Sequence, residues 1–536
     1  MIVRMKHLDL VCVVAERELA LSRLRELGAV HLDLAKATGE SVVSVKGEIE
    51  FAERAVRLIL KSRDKNFSEE VRPKSVEEVL SLDDDRSKLI AEADRLEREI
   101  KIYSPYGDFD PLLAQKILDR GIDITSELPP KLPKVRLSKL VEKLARVNNR
   151  IAIDTAKIAA AEVKVILDKN PELKNRLEFE QAKELMEAKG AVAVVSGWIP
   201  ETRIADLKAQ APSAGWGILL RDPAEGETPP TLINPPEFVR PVKALFEGLG
   251  IAPAYDESDV SVPFMCYFSL FFAMLVGDGA YGVIFLLATL VLRKKLARGW
   301  FLLMMVFSLA TIAWGALSNT WFGAGIPWCE NWPTVRWLAG ADAPAGHQYD
   351  NMMFLCFTIG VTHLMIARIW NGVCKLNGLE CLSEFGWAGV VLFMYILTNS
   401  IVGIFPGIPT WAYWVFGVSF VTLFVRAKGM DKGMLFLNTM SVLGDIISYV
   451  RLFAVGLASV QVAANFNGMA MGLGLPIWIK WLPLVFIMLV GHALNIAMAG
   501  LSVLVHAVRL NTLEFSNHKG VSWAGYAFRP FGQVKN

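Results

Sequence analysis

The sequence predicts a polytopic α-helical membrane domain of about eight segments, the last two long and tilted. In front of it lies an N-terminal α/β domain with coiled-coil-like helical arms. Three observations predict this class. The 536-residue chain is 53% hydrophobic, with a mean hydropathy of +0.37. The apolar excess is one-sided: residues up to about Asp259 are charge-rich, and from Pro263 onward apolar runs of roughly 18 residues or longer recur, long enough to span a bilayer. Finally, Arg451 and Arg509 lie deep inside the last two such runs, Met434–Met471 and Pro476–Phe515.

The organisation expected is a cytoplasmic domain over 1–227, a proline-rich linker over 228–262 and a membrane domain over 263–536. In the first domain Lys6–Ala15 reads as a strand, Glu16–Leu27 as a helix stopped at Gly28, and Ala29–Leu34 as a second strand. Charged helical stretches follow near Ser44–Lys65, Ser87–Ile102 and Leu137–Leu167. The last carries Leu140, Leu144, Val147, Ile151 and Ile158 at heptad-like intervals, a narrow stripe suited to antiparallel coiled-coil arms. Phe179–Met186 reads as a helix, Ala191–Pro200 as a strand ended by proline, and ETRIADLKAQ as a helix. Thr228–Pro241, with five prolines in TPPTLINPPEFVRP, cannot be a helix interior.

In the second half Trp300–Phe322, Asn351–Cys374, Glu384–Ile404, Thr410–Val425, Met434–Met471 and Pro476–Phe515 are spanning candidates. Basic loops lie at RKKLAR (Arg293–Arg298), at Arg368 with Lys375, at Arg426–Gly433 and in the tail with Lys519, Arg529 and Lys535. The long loop Gly323–Asp350 holds only Arg336 and is expected outside. A single crossing by Val262–Leu292 would put RKKLAR outside and invert every later loop. A hairpin of two short helices broken at GDGAYG (Gly277–Gly282) restores the positive-inside pattern, with both termini cytoplasmic. As a helix, Met434–Met471 would be about 57 Å long against a hydrocarbon core of about 30 Å, so it must tilt strongly or leave the membrane.

Net charge is +2, so no bulk field argues for nucleic acid. The six cysteines show no CxxC pairing and read as small buried hydrophobes. The start MIVRMKHLDLVCVVAERE has no long apolar core and is not read as a signal peptide. GxxxxGK[ST], HExxH and GxSxG patterns are absent, so no nucleotide site, metal site or cofactor is expected.

A guanidinium cannot shed its proton in lipid, and at a helix centre it costs about 2.5–3.5 kcal/mol by insertion scales. An intramembrane arginine is therefore a functional candidate. Gly444, Arg451, Ala458 and Asn465 are seven apart and share one helical face, which is small or polar; Asn495, Ser502 and Arg509 form the same stripe on the last helix. Ser448 flanks Arg451, His506 lies one turn before Arg509, and Glu514 lies beyond it. Asp445, six residues from Arg451, sits on a different face and is a poor intrahelical partner. The candidate ion-translocation residues are Arg451, Arg509, Asp445, Glu514, His506, Ser448 and Ser502.

At these residues the chain resembles the a (or I) subunit of V-type and A-type rotary ATPases, in its bacterial form. SYVRLFAVGLA (Ser448–Ala458) is similar to the SYxRLxALGLA signature, and His492–Phe515 with FRPF (Phe528–Phe531) to the last helix and tail. FFAMLVGDGAYG (Phe271–Gly282), PPTLINPPEFVRPV, YGDFD (Tyr106–Asp110) and VSGWIP (Val195–Pro200) carry the resemblance over nearly the whole chain. Where the family linker ends in DPTP this chain has DVSVP (Asp259–Pro263). Extra acids of some relatives are replaced by Leu437, Asn438 and Ala499, leaving Asp445 and Glu514 as the main carboxylates.

The resemblance implies a stator subunit in the inner cell membrane that forms an H⁺ or Na⁺ path against a rotating c/K-type ring. Each ring carboxylate would ionise opposite Arg451, supported by Arg509. Implied partners are the ring subunits, peripheral-stalk E/G-type subunits, a central-stalk C/d-type subunit and membrane lipid. Such a subunit works in an ATPase complex without hydrolysing nucleotide itself. The competing reading is a secondary transporter with an arginine-bound substrate, which requires inverted repeats and broken midplane helices.

Overall fold

The computed structural model describes residues 2–532 apart from 35–36, 63–74, 121–127, 130, 161–162, 342, 345–346, 428, 430 and 475. The expected end of the first arm helix beyond 62 and residues 161–162 of the Leu137–Leu167 stretch fall outside the described residues, as do parts of the 323–350 and 426–433 loops. The chain divides into two compact units: Lys6–Asp222 with Arg529–Asn536, and Met1–Met5 with Pro223–Phe528.

The first unit combines a small sheet with long helices. In order come β1 (Met5–Val13), α1 (Arg17–Leu27), α2 (Glu40–Ser62), α3 (Val76–Tyr103), α4 (Pro111–Asp119), α5 (Leu137–Ala160), α6 (Val163–Leu185), β2 (Glu187–Lys189), β3 (Val192–Pro200), α7 (Ile204–Ala214) and β4 (Gly217–Arg221). The sheet order is β2-β3-β1-β4, with β1–β4 antiparallel in the register Asp9↔Leu219. Alternation along β1 buries Leu8, Leu10 and Cys12 against Leu21 and Leu24 of α1 and Leu207 of α7. Gly28 ends α1 in the left-handed region at φ +57°, as its position predicts.

The expected second strand, Ala29–Leu34, is reduced to one bridge between His31 and Trp198, closed by N–H···O bonds of 2.8 and 2.9 Å. The close approach needs Gly197, where a Cβ would lie 2.6 Å from the His31 carbonyl oxygen. Phe531 of the tail is buried in this unit's core, its N–H donating to the Val30 carbonyl at 2.7 Å.

The arms pair as the apolar stripe predicts. Leu140 and Val147 of α5 cluster with Ala93 and Leu96 of α3, with Leu144 and Ile151 packed alongside. Ile158 meets Val79 of α3 and Ala55 and Ile59 of α2. Glu92 bonds Lys143 at 2.7 Å, so α3 and α5 run antiparallel. Ser75 caps α3 by accepting from the Glu78 N–H, and Asp110 caps α4 ahead of Pro111.

The second unit is helical: α8 (Val242–Leu249), α9 (Ser261–Val276), α10 (Gly279–Val291), α11 (Arg298–Ser318), α12 (Pro333–Leu338), α13 (Asp350–Cys374), α14 (Glu380–Ile401), α15 (Thr410–Arg426), α16 (Asp431–Ile447), α17 (Val450–Met471), α18 (Ile477–Ser502) and α19 (Ser516–Lys519). Among the described residues five helices are long and apolar enough to cross a membrane, the last two reaching 40 and 41 residues. Thr410–Arg426 is shorter.

The break expected at GDGAYG is present. Gly277 ends α9 at φ +70°, and the chain bends by 117° into α10. Asp278 makes this bend specific: one carboxylate oxygen caps the Ala280 N–H at 2.8 Å, the other accepts from the Gly323 N–H at 2.8 Å. α10 and α11 approach through glycines, since a Cβ on Gly315 would lie 2.2 Å from the Gly279 Cα. The proline-rich stretch belongs to this unit, where Val239, Val242 and Phe246 are buried with Phe264 and Phe268.

Candidate functional site

Arg451 enters from the first turn of α17. α16 ends at Ile447, and the chain passes through a tight turn at Ser448–Tyr449 before helix resumes. Gly444, Ala458 and Asn465 remain exposed on Arg451's side, so the small stripe survives the turn. The turn itself was not legible, because its residues carry no proline or glycine signal.

The second arginine stripe does not hold. After Ser502 the last helix widens into π-helical segments, Val503–Ala507 and Leu510–Phe515. The extra residues per turn break the seven-residue spacing: Asn495 is buried at 1%, whereas the Arg509 side chain is half exposed. π geometry aligns residues five apart, and this brings Arg509 over Glu514.

Glu514 is the focus of the site. Its carboxylate is 3% exposed. One oxygen accepts from the Ser448 hydroxyl at 2.8 Å, lies 3.3 Å from Arg509 Nε and lies 3.7 Å from Arg451 Nη1. The other oxygen is buried without a hydrogen-bond partner, as is Arg451 Nη1. Two guanidinium groups thus flank one buried carboxylate oxygen. Arg451 therefore has a carboxylate of its own chain nearby, but at a distance longer than a hydrogen bond. Both guanidinium groups keep an open side, at 30% and 51% exposure.

Asp445 is elsewhere. Its carboxylate meets His518 Nε2 at 3.1 Å rather than Arg451. His506 is within electrostatic reach of both arginines, with its Nδ1 buried and unbonded. Ser502 is half-buried at the end of α18, and no hydrogen bond joins it to Glu514 among the described residues. The structure thus assembles Arg451, Arg509, Glu514 and Ser448, keeps His506 alongside, and separates Asp445 and Ser502.

Sequence reasoning missed Arg368. It sits inside α13 rather than in a basic loop, bonding Glu384 at 3.2 Å and His518 at 3.1 Å. The signal was available: the apolar run continues to Cys374, so Arg368 meets the same intramembrane-charge criterion as Arg451. His363 was also missed; its ring is fully buried, stacked between Tyr267 and Phe515 and bonded to the Tyr449 hydroxyl at 2.9 Å. A third polar set ties α10, α17 and α18 together. Tyr281 bonds His492 at 2.7 Å, and Asn495 donates to the Tyr281 hydroxyl and the Ser459 carbonyl. Among the described residues no group of His, Cys, Asp and Glu could hold a metal ion.

No family model matches the sequence. Over 385 aligned positions the chain is 34% identical to the V-type ATP synthase subunit I of Borreliella burgdorferi, covering 67% of this chain and 63% of that protein. It is 28% identical to the V-type ATP synthase subunit I 1 of Treponema pallidum, covering 99% of this chain and 100% of the relative. The A-type ATP synthase subunit I of Archaeoglobus fulgidus is 26% identical, over 64% of this chain and 59% of that protein. The chain spans less than two thirds of the Borreliella and Archaeoglobus relatives and the whole of the Treponema one. With that full-length match and the two arginine helices in place, the chain belongs to the V-type/A-type ATP synthase subunit I family.

Proposed function

We propose that this chain is the membrane stator subunit of a V/A-type rotary ATPase, forming a path for H⁺ or Na⁺ against a rotating ring of c/K-type subunits. The observation that carries the reading is the Glu514 carboxylate held by Ser448 between two half-open arginines. A ring carboxylate in lipid must be neutral, because an ionised one is too costly there. Beside Arg451 and Arg509 it can ionise and release its ion. Glu514 tempers the pair, so that the arriving carboxylate is attracted without being held for good.

The surroundings support this role. α17 presents Ala454, Ala458, Gln461 and Asn465 on an open face, small enough for another helix to pass closely. α18 exposes Phe486, Leu489 and Leu501, and the π-helical segment after it exposes Leu504, a surface suited to lipid or to apolar ring helices. The paired arms of the first unit suit docking to helical peripheral-stalk subunits of E/G type, and a C/d-type subunit is a further partner. In this reading the membrane is the inner cell membrane, and α9 and α10 form a hairpin that keeps both termini cytoplasmic.

Arg451→Lys in the assembled complex tests the reading. The substitution keeps a charge but loses the planar, permanently protonated fork. ATP-driven ion uptake into proteoliposomes should fall at least about tenfold with normal assembly. Uptake at the unmodified rate would overturn the role given to Arg451.

A further inference from the structure

A second line of buried polar groups lies in the membrane-spanning unit. Glu384 of α14 accepts from Lys375 at 2.9 Å and from Arg368 Nη1 at 3.2 Å. The Arg368 guanidinium lies 5.3 Å from the centre of the Trp387 ring. Its Nε donates to His518 Nδ1 at 3.1 Å, and His518 Nε2 meets Asp445 at 3.1 Å. A groove of about 360 Å³, lined by Lys375, Glu384, Arg426 and Asn438 among others, adjoins the Glu384 end. At the other end Asp445 and Ser448 are three residues apart and hence neighbours on one helical face, and Ser448 bonds Glu514.

The direction of these bonds fixes a protonation state. A guanidinium is only a donor, so His518 Nδ1 must accept from Arg368. The ring proton of the neutral imidazole is then on Nε2, which donates to Asp445. An imidazolium would need to donate from both nitrogens, and Nδ1 already faces a donor. Among the described residues His518 is the sole group within ion-pair distance of Asp445. The charged and titratable groups around the ring are Asp445 from α16, Arg368 and His363 from α13 and Glu384 from α14. Neighbouring Lys519 is turned away, onto Asn371 and Ser258.

We propose that Arg368 and His518 are positioning residues for ion transfer at Asp445. Arg368 holds His518 in the tautomer with its proton on Nε2. Asp445 thereby receives one directed hydrogen bond and no fixed counter-cation, and it can take up and release the ion between the groove and the Ser448–Glu514 site. The inference rests on the ion-path reading above. Without the guanidinium, His518 Nδ1 no longer faces a donor, so the ring can take a second proton as pH falls, and the imidazolium would pair with Asp445 and hold it. Glu384 keeps Lys375 as a partner in that variant.

The test uses the assembled complex in proteoliposomes, with ATP-driven charge uptake read by a potential-sensitive dye between about pH 5.5 and 8. Relative to the unmodified profile, Arg368→Gln should pump within about twofold at the alkaline end and at least about fivefold less at the acid end. Adding His518→Gln should remove the acid-side loss, because a carboxamide donates to Asp445 without titrating. A parallel Arg368→Gln profile, or an acid-side loss that persists in the double variant, overturns the proposal. Should Arg368→Gln fail to assemble, the pair His518→Leu and His518→Gln decides: His518→Leu, which cannot donate to Asp445, should lose at least about fivefold in uptake and His518→Gln should restore it, and uptake within about twofold in His518→Leu, or no recovery in His518→Gln, overturns the proposal. Arg451→Lys separates the two readings: normal uptake there removes the path itself, whereas a parallel Arg368→Gln profile beside an inactive Arg451→Lys removes only the positioning role.

Discussion

Arg509 Nε and Glu514 Oε1 lie 3.3 Å apart across five residues of the last helix. An α-helix would set residues five apart on different faces; the π-helical segment Leu510–Phe515 aligns them. The same oxygen accepts from Ser448, in the turn that precedes Arg451. One carboxylate thus couples the two arginine helices.

Glu514→Gln should separate charge from shape at this point. The carboxamide oxygen still accepts from Ser448, but the two guanidinium groups lose their shared anion. ATP-driven ion uptake by the assembled complex should fall about tenfold, equivalent to about 1.4 kcal/mol at the site. Glu514→Asp should recover less than half of the loss, because the shorter side chain cannot reach Ser448 and Arg509 together. Uptake rates of the two variants, normalised to assembled complex, check the order.

The bend at Gly277–Asp278 carries the proposed hairpin. In that topology Lys295→Cys should react with a membrane-impermeant maleimide only when the cytoplasmic side is exposed. Labelling from the external side would replace the hairpin by a single broken span.

Gly315 faces Gly279 where α10 and α11 come closest. A Cβ there would lie 2.2 Å from backbone, which no side-chain adjustment relieves. Gly315→Ala should destabilise the membrane-spanning unit by about 1–3 kcal/mol through overpacking. A lowered thermal midpoint in detergent would show it. Gly417→Ala, with open space at its Cβ, is the matched control.

Burial holds the His31 imidazole below its ordinary value of 6.5, the hydrogen bond with Arg529 opposing this only in part. The folded first unit therefore favours the neutral ring. The associated stability is present above about pH 6.5 and is lost as pH falls from there through the lower folded value. Protection factors against hydrogen exchange at the His31 and Trp198 amides, which close the bridge to each other, should fall from pH 7.5 to pH 5.5. His31→Gln should remove the fall.

Much of the architecture was legible because it rests on local periodicity. The stripe Leu140–Val147–Ile158 pairs as expected, since an apolar stripe on a charged helix has nowhere else to go. GDGAYG breaks where expected, since glycine and a capping aspartate favour a turn over continued helix. Ala29–Leu34 pairs through a single bridge at His31, because an apolar run does not carry in itself the placement of a partner strand.

By itself the sequence determined the one-sided apolar excess, the spanning runs, the helix break at Gly277 and the two intramembrane arginines, because hydropathy, glycine and charge act at the level of single residues and short windows. Tertiary structure alone decided what those arginines meet. The π-helical widening carries no composition signal, yet it rotates Arg509 onto Glu514 and removes Ser502 from the stripe. The pairing of Asp445 with His518, and of His518 with Arg368, joins residues 73 and 150 positions apart. Such contacts follow from how helices pack, and no window of sequence short enough to show periodicity can contain them.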